Sequence, residues 1–96
     1  MPGGIPVSVN LEDPVGSGSY RFDPSAFKFR AGEAVDFILT SETAFHTFTV
    51  DELAIDVGVD PGQTIPFSFV FDKPGTYRLF CVPHESRGMA GTITVE

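Results

Sequence analysis

The sequence predicts an all-β chain folded as a sandwich or a barrel. Three observations carry this. Short apolar segments alternate with Pro, Gly and Asp clusters at close spacing. Between those clusters the apolar residues recur with a period of two. No stretch sustains a helical period. The breakers are Asp13-Pro14 through Gly18, Asp23-Pro24, Ala31-Gly32, Asp60-Pro61-Gly62 and Lys73-Pro74-Gly75.

Taken in order, a first strand carries Asn10, the chain's sole asparagine. Val35, Phe37 and Leu39 then share one strand face, with Asp36 and Thr40 on the other. His46, Phe48 and Val50 share a face of the next strand. Leu53, Ile55, Val57 and Val59 also alternate, which predicts a strand over 51–60 with an acidic outer edge of Asp51, Glu52, Asp56 and Asp60. Ile65, Phe67, Phe69 and Phe71 form an inward row set against Pro66 and Ser68. Tyr77, Leu79 and Cys81 lie on one face of the strand that starts after Gly75. Gly91, Ile93 and Val95 close the chain, with Thr92 and Thr94 facing out. No repeat, linker or low-complexity stretch interrupts the series, so residues 1–96 are expected to be a single domain.

Ninety-six residues allow one modest core, and ten Phe with no Trp make it aromatic. A single Cys excludes an internal disulfide, four-cysteine zinc sites and iron–sulfur clusters. A formal charge of −7 without a Lys/Arg cluster argues against nucleic acid. It favours a basic or neutral protein partner approached by electrostatic steering. The acidic edge itself reads first as a solvated face, and second as a docking patch. No apolar run approaches the ~20 residues that cross a bilayer. The opening MPGGIPVSVN lacks a basic stretch followed by an apolar one and is not read as a signal peptide. A signal or anchor removed upstream is one reading of that start.

The chemistry concentrates in FCVPHESRGM, residues 80–89, where Cys81, His84 and Met89 follow the pattern C-x2-H-x4-M between two strand-like segments. The remaining His is His46, and the only other Met is the initiator. Two imidazoles and a thiolate with a weak axial Met are the donor set of blue-copper electron-transfer sites. Each residue alone has a plainer use: Cys81 as a small buried hydrophobe, His84 as a solvated loop residue, Met89 as a gap-filler, His46 as a hydrogen-bonded core histidine. Together, at two strand ends and the hairpin loop between them, they are expected to converge on one pole of the sandwich if Cys81 and His46 lie on inward faces. Cys–His hydrolysis needs a separately placed base and an orienting Asn or Asp; His84 is too near Cys81 in sequence and Asn10 lies in the first strand. Zinc would accept one Cys and two His, but Met89 points to copper.

The segment PGTYRLFCVPHESRGMAGTITV, Pro74 to Val95, resembles the C-terminal signature of the cupredoxins, most closely the plastocyanin-like type. FHTFTVDE, Phe45 to Glu52, resembles that family's first-histidine strand. The resemblance covers residues 27–96. It implies a Greek-key β-sandwich with one type 1 copper on His46, Cys81, His84 and Met89. HTFTVDELAIDVGVDPGQ, His46 to Gln63, is also similar to the copper domain of cytochrome c oxidase subunit II. The dinuclear centre of that family needs two Cys in the ligand loop, and this chain has Cys81 alone. Two positions depart from the plastocyanin pattern: Phe80 stands where a Tyr is usual, and Thr47 where an Asn is usual.

The expected function is a small monomeric electron carrier that alternates one copper between Cu(I) and Cu(II), and not an enzyme. Thr47 and the backbone around Pro83 are the candidates for holding the ligands in place. The family places one ligand His at the surface within an apolar patch. Here that implies His84, framed by Phe45, Pro83, Gly88 and Ala90, with Arg87 on the rim. Contacts with redox partners such as a cytochrome or an oxidase are expected to be small and transient. The resemblance places the chain in the periplasm or on an outward membrane face. The competing readings are a copper-binding or storage module that shuttles no electrons, and a domain excised from a larger membrane-anchored or multidomain redox protein.

Overall fold

The computed structural model describes residues 4–12, 20–42 and 44–96. The breaker at 13–18 therefore lies outside the described residues. Among the described residues no helix is long and apolar enough to cross a membrane.

Strands β1 (Ile5–Glu12), β2 (Arg21–Asp23), β4 (Glu33–Ser41) and β7 (Thr64–Phe71) form one sheet in the order β2-β1-β4-β7. Strands β3 (Ala26–Phe29), β5 (His46–Val50), β6 (Ile55–Val59), β8 (Gly75–Phe80) and β9 (Ala90–Val95) form the other, in the order β3-β9-β8-β5-β6. The β1–β4 and β3–β9 pairs are parallel and the rest antiparallel. Connections from β2 to β3, β3 to β4, β4 to β5, β6 to β7 and β7 to β8 pass between sheets. The architecture is a Greek-key β-sandwich, as the resemblance implied.

The period-two rows form the core. Val35, Phe37 and Leu39 are fully buried, and register sets them opposite Phe69, Phe67 and Ile65 of β7. Those three are half-buried against the core and Phe71 is buried, while Pro66 and Ser68 face outward. Tyr77, Leu79, Ile93 and Val95 supply the facing layer. The aromatic character predicted from ten Phe is realised in a connected set of rings, with Phe37 touching Phe27, Phe29, Phe48, Phe67 and Phe71.

Two elements differ from the sequence reading. The strand expected over 51–60 is shorter. Asp51–Leu53 is a 3-10 turn, and Ala54 takes a left-handed conformation with φ 55° while its N–H donates to the Asp51 carbonyl. Only Ile55–Val59 is strand. The reversal is what lets β6 fold back on β5, pairing Val50 with Ile55 and His46 with Val59. Leu53 kept the period because the turn presents it to the core half-buried. Secondly, β5 is buried along both faces, so Thr47 and Thr49 are enclosed together with His46, Phe48 and Val50. Asp51, Glu52, Asp56 and Asp60 remain exposed.

Candidate metal centre

Strand ends position the donors. His46 is the first residue of β5, and Cys81 directly follows β8; both are fully buried. A 3-10 turn, Val82–Arg87, carries the half-buried His84. Gly88 then reverses the chain at φ 88°, a left-handed conformation favourable to glycine. Met89 follows, fully buried, immediately before β9. The loop is cross-tied: Cys81 N–H donates to the Met89 carbonyl, His84 N–H to the Cys81 carbonyl, and Met89 N–H to the His84 carbonyl. Cys81 and Met89 are thereby locked into one hairpin.

Three side-chain atoms converge. His46 Nδ1 lies 3.1 Å from His84 Nδ1, Cys81 Sγ lies 3.8 Å from the first and 3.5 Å from the second. A triangle of those edges has a central point about 2.0 Å from every corner. That is a metal–imidazole bond length and slightly under the ~2.3 Å of a metal–thiolate bond. His46, Cys81 and His84 are thus already disposed for a trigonal metal ion, and the donor set fits copper. Among the described residues, no buried side-chain nitrogen or oxygen is left without a partner.

Burial pushes the Cys81 thiol above its usual range, and the Thr47 N–H, 3.3 Å from Sγ, works the other way. A metal bound here must displace that proton, because the ligating species is the thiolate. Thr47 makes a second tie: its Oγ1 accepts the Val82 N–H at 2.8 Å, joining β5 to the ligand loop. Pro83 lies exposed within the turn and supplies no N–H donor.

The residues expected to frame His84 are partly exposed. Phe45 is 46% exposed and Val82 57% exposed. Gly88 and Arg87 are exposed, and Ala90 is half-buried. Val82 was not singled out from the sequence. Gly58 permits the position of Phe45, since a Cβ there would come 3.1 Å from the ring.

Tyr20 was also missed. Its ring stacks on His84 with centroids 4.3 Å apart and an interplanar angle of 18°, and the Arg87 guanidinium lies over the Tyr20 ring at 5.6 Å. His84 sits on a turn without a buried residue, and this stack covers one face of its ring while Nδ1 meets His46 and Cys81. Nothing in the pattern signalled it: Tyr20 ends a breaker-rich stretch and joins His84 only through the fold. Tyr20→Leu is expected to release the imidazole, with loss of the ring-current shift on its protons in the NMR spectrum of the metal-free protein. Tyr20→Phe should keep the shift. An aromatic pair of this kind is worth about 0.5–1.5 kcal/mol beyond its buried area. Unchanged His84 signals in Tyr20→Leu would show that the stack does not orient the ring.

The plastocyanin/azurin family of copper binding proteins matches residues 9–96, reaching further toward the N-terminus than the 27–96 expected from the motifs. Plastocyanin from Scenedesmus fuscus is 36% identical over 93 residues, covering 83% of this chain and 91% of that protein. The oxidised plastocyanin of Dryopteris crassirhizoma superposes with a TM-score of 0.68 at 30% identity, over 94% of this chain and all of that one. A chain of a heme-copper terminal oxidase dimer superposes with a TM-score of 0.71 at 24% identity, over 98% of this chain and 66% of that one, a likeness of fold. Sandwich, converging donors and sequence agree: the chain belongs to the plastocyanin/azurin family of copper binding proteins and is a small electron carrier with a single type 1 copper.

Proposed function

We propose that His46, Cys81, His84 and Met89 hold the copper, and that the chain carries single electrons between redox proteins through transient contacts at its His84 pole. The observation that carries this is the triangle of Nδ1, Nδ1 and Sγ, sized for one metal ion. Copper bound there supplies a one-electron couple between a state that favours thiolate and thioether and a state that favours imidazole. The rest is the protein's work. His46 is held by β5, Cys81 by the Thr47 N–H, and Met89 by its bonds to Cys81 and His84. Donors restrained in this way keep one geometry in both oxidation states, which lowers the reorganisation barrier.

Phe45, Val82 and Pro83, with Gly88 and Ala90, form an apolar docking face around His84, and Arg87 stands at its rim. Such a face suits brief encounters of low buried area. The net charge of −7 favours partners with basic or neutral surfaces. A second, catalytic copper would need further imidazoles, and the chain has only His46 and His84; the proposed role is therefore transfer without substrate chemistry. We place the carrier outside the cytoplasm, in the periplasm or on an outward membrane face, working as a single-domain monomer.

The test is a Cu(II) titration of the purified protein followed by visible absorption and EPR, beside Cys81→Ser. The expected result is an intense band in the red with a narrow copper hyperfine splitting, saturating at one copper per chain and absent from Cys81→Ser. An ordinary tetragonal or colourless complex would overturn the assignment and return attention to Cu(I) storage or zinc.

A further inference from the structure

Asp56 reads from sequence as one of four solvated carboxylates on an edge strand. The structure joins it to the ligand loop. Its Oδ1 accepts the hydroxyl of Thr49 at 3.1 Å, Thr49 Oγ1 lies 2.8 Å from Thr47 Oγ1, and Thr47 Oγ1 accepts the Val82 N–H at 2.8 Å. Val82 follows Cys81, whose Sγ receives the Thr47 N–H. Both threonines are buried, at 6% and 3% exposure.

The chain has one permitted direction. A carboxylate oxygen accepts, and each threonine hydroxyl has a single proton to give. Thr49 commits its proton to Asp56 and so must accept from Thr47. Thr47 thereby spends its own proton on Thr49 and keeps its lone pairs for Val82. Each link polarises the next in a low-dielectric setting, so the surface carboxylate strengthens the pull of Thr47 Oγ1 on the loop amide.

We infer that Asp56 is a positioning residue for the metal-ligand loop, acting through Thr49 and Thr47 on the Val82 N–H beside Cys81. Its bearing on electron transfer rests on the proposed role of Cys81 as a ligand. The chain itself is testable without metal. With Asp56→Ala, Thr49 loses its fixed acceptor and its hydroxyl is free to donate back to Thr47 Oγ1, where it competes with the Val82 N–H. Thr49→Val breaks the chain with no change of charge or shape.

The experiment follows the Val82 amide by NMR in the metal-free protein, with the unfolding midpoint of every variant measured alongside. Asp56→Ala and Thr49→Val are expected to move the Val82 proton upfield and speed its exchange about fivefold, the weakening of one ordinary hydrogen bond. Thr49→Ser and Asp56→Asn, which keep a hydroxyl and an acceptor, should restore both readings. In the copper-loaded protein, Asp56→Ala should shift the reduction potential more in the wild-type background than in Thr49→Val. A Val82 amide unmoved by Asp56→Ala and Thr49→Val, or an equal potential shift in both backgrounds, would overturn the inference in favour of a carboxylate acting through space. Absence of a type 1 spectrum in the wild type would overturn the copper assignment alone, because the Val82 measurement needs no metal.

Discussion

Phe37→Ala is expected to remove about 3–5 kcal/mol of folding stability, the cost of truncating a large buried aromatic side chain. Phe37 is fully buried in the middle of β4, and its ring meets five other phenylalanines drawn from both sheets. Its environment is therefore two layers of rings that cannot close over the missing one without breaking their own contacts. A domain of this size has only about 5–15 kcal/mol in total. The melting temperature, followed by circular dichroism, should fall by roughly 12–40 °C at about 4–8 °C per kcal/mol. Ile38→Ala is the internal control. Ile38 is the next residue on the same strand, but it faces outward at 38% exposure, and a surface change of this kind stays near ~0.5 kcal/mol. Similar losses in both variants would mean that the inward row of β4 had been assigned to the wrong face.

The inward row of β4 was legible because only one of its faces is buried, so alternation survives in the sequence. Where that condition fails, the reading fails too. In β5 the apolar face of His46, Phe48 and Val50 was visible, but the enclosure of Thr47 and Thr49 was not. Threonine fits both a wet and a dry sheet face, and the ligand-loop contact that buries Thr47 comes from the far end of β8. The hydrogen-bonded chain from Asp56 was hidden for the same reason. At 51–54 the alternation was misleading: a turn with Ala54 at φ 55° preserved the spacing of Leu53 while leaving the extended conformation. Alanine gives no warning of a left-handed φ, as glycine would.

The convergence of His46, Cys81 and His84 was easier to read than the scaffold around them. One Cys, two His and one internal Met leave a single way to assemble a soft metal site, and strand alternation brings Cys81 and His46 to the inner ends of neighbouring strands. Tyr20 carries no such scarcity. One of two tyrosines at the end of an aperiodic stretch, it becomes part of the site only when β2 is placed beside the turn that bears His84.

Gly91→Ala should join scaffold and site in one measurement, with a stability loss of about 3 kcal/mol, at the upper end of overpacking costs. A Cβ on Gly91 would meet the Ser25 carbonyl oxygen at 2.2 Å, a contact with backbone on its other side that no side-chain rotation relieves. The same carbonyl accepts the Thr92 N–H at 2.9 Å, where β3 begins to pair with β9 through Ala26 and Thr92. To admit the methyl group, β9 must draw away from β3 at its first residues. Met89 lies two positions upstream, its carbonyl bonded to Cys81 N–H, and Ala90 pairs with Phe80 at the end of β8. Displacement of β9 therefore pulls on Met89 and Cys81 together, the two residues of this hairpin proposed to hold the copper. The expected result is a lower urea midpoint accompanied by a change in the intensity ratio of the copper–thiolate bands in the loaded protein. Gly62→Ala serves as the comparison: no atom lies within 4 Å of its Cβ and φ is 78°, so it should lose about 1–2 kcal/mol from backbone strain alone and leave the spectrum as it was. A stability loss in Gly91→Ala with an unchanged spectrum would show that the ligand loop is held independently of β9, by Thr47 and the bonds within the hairpin.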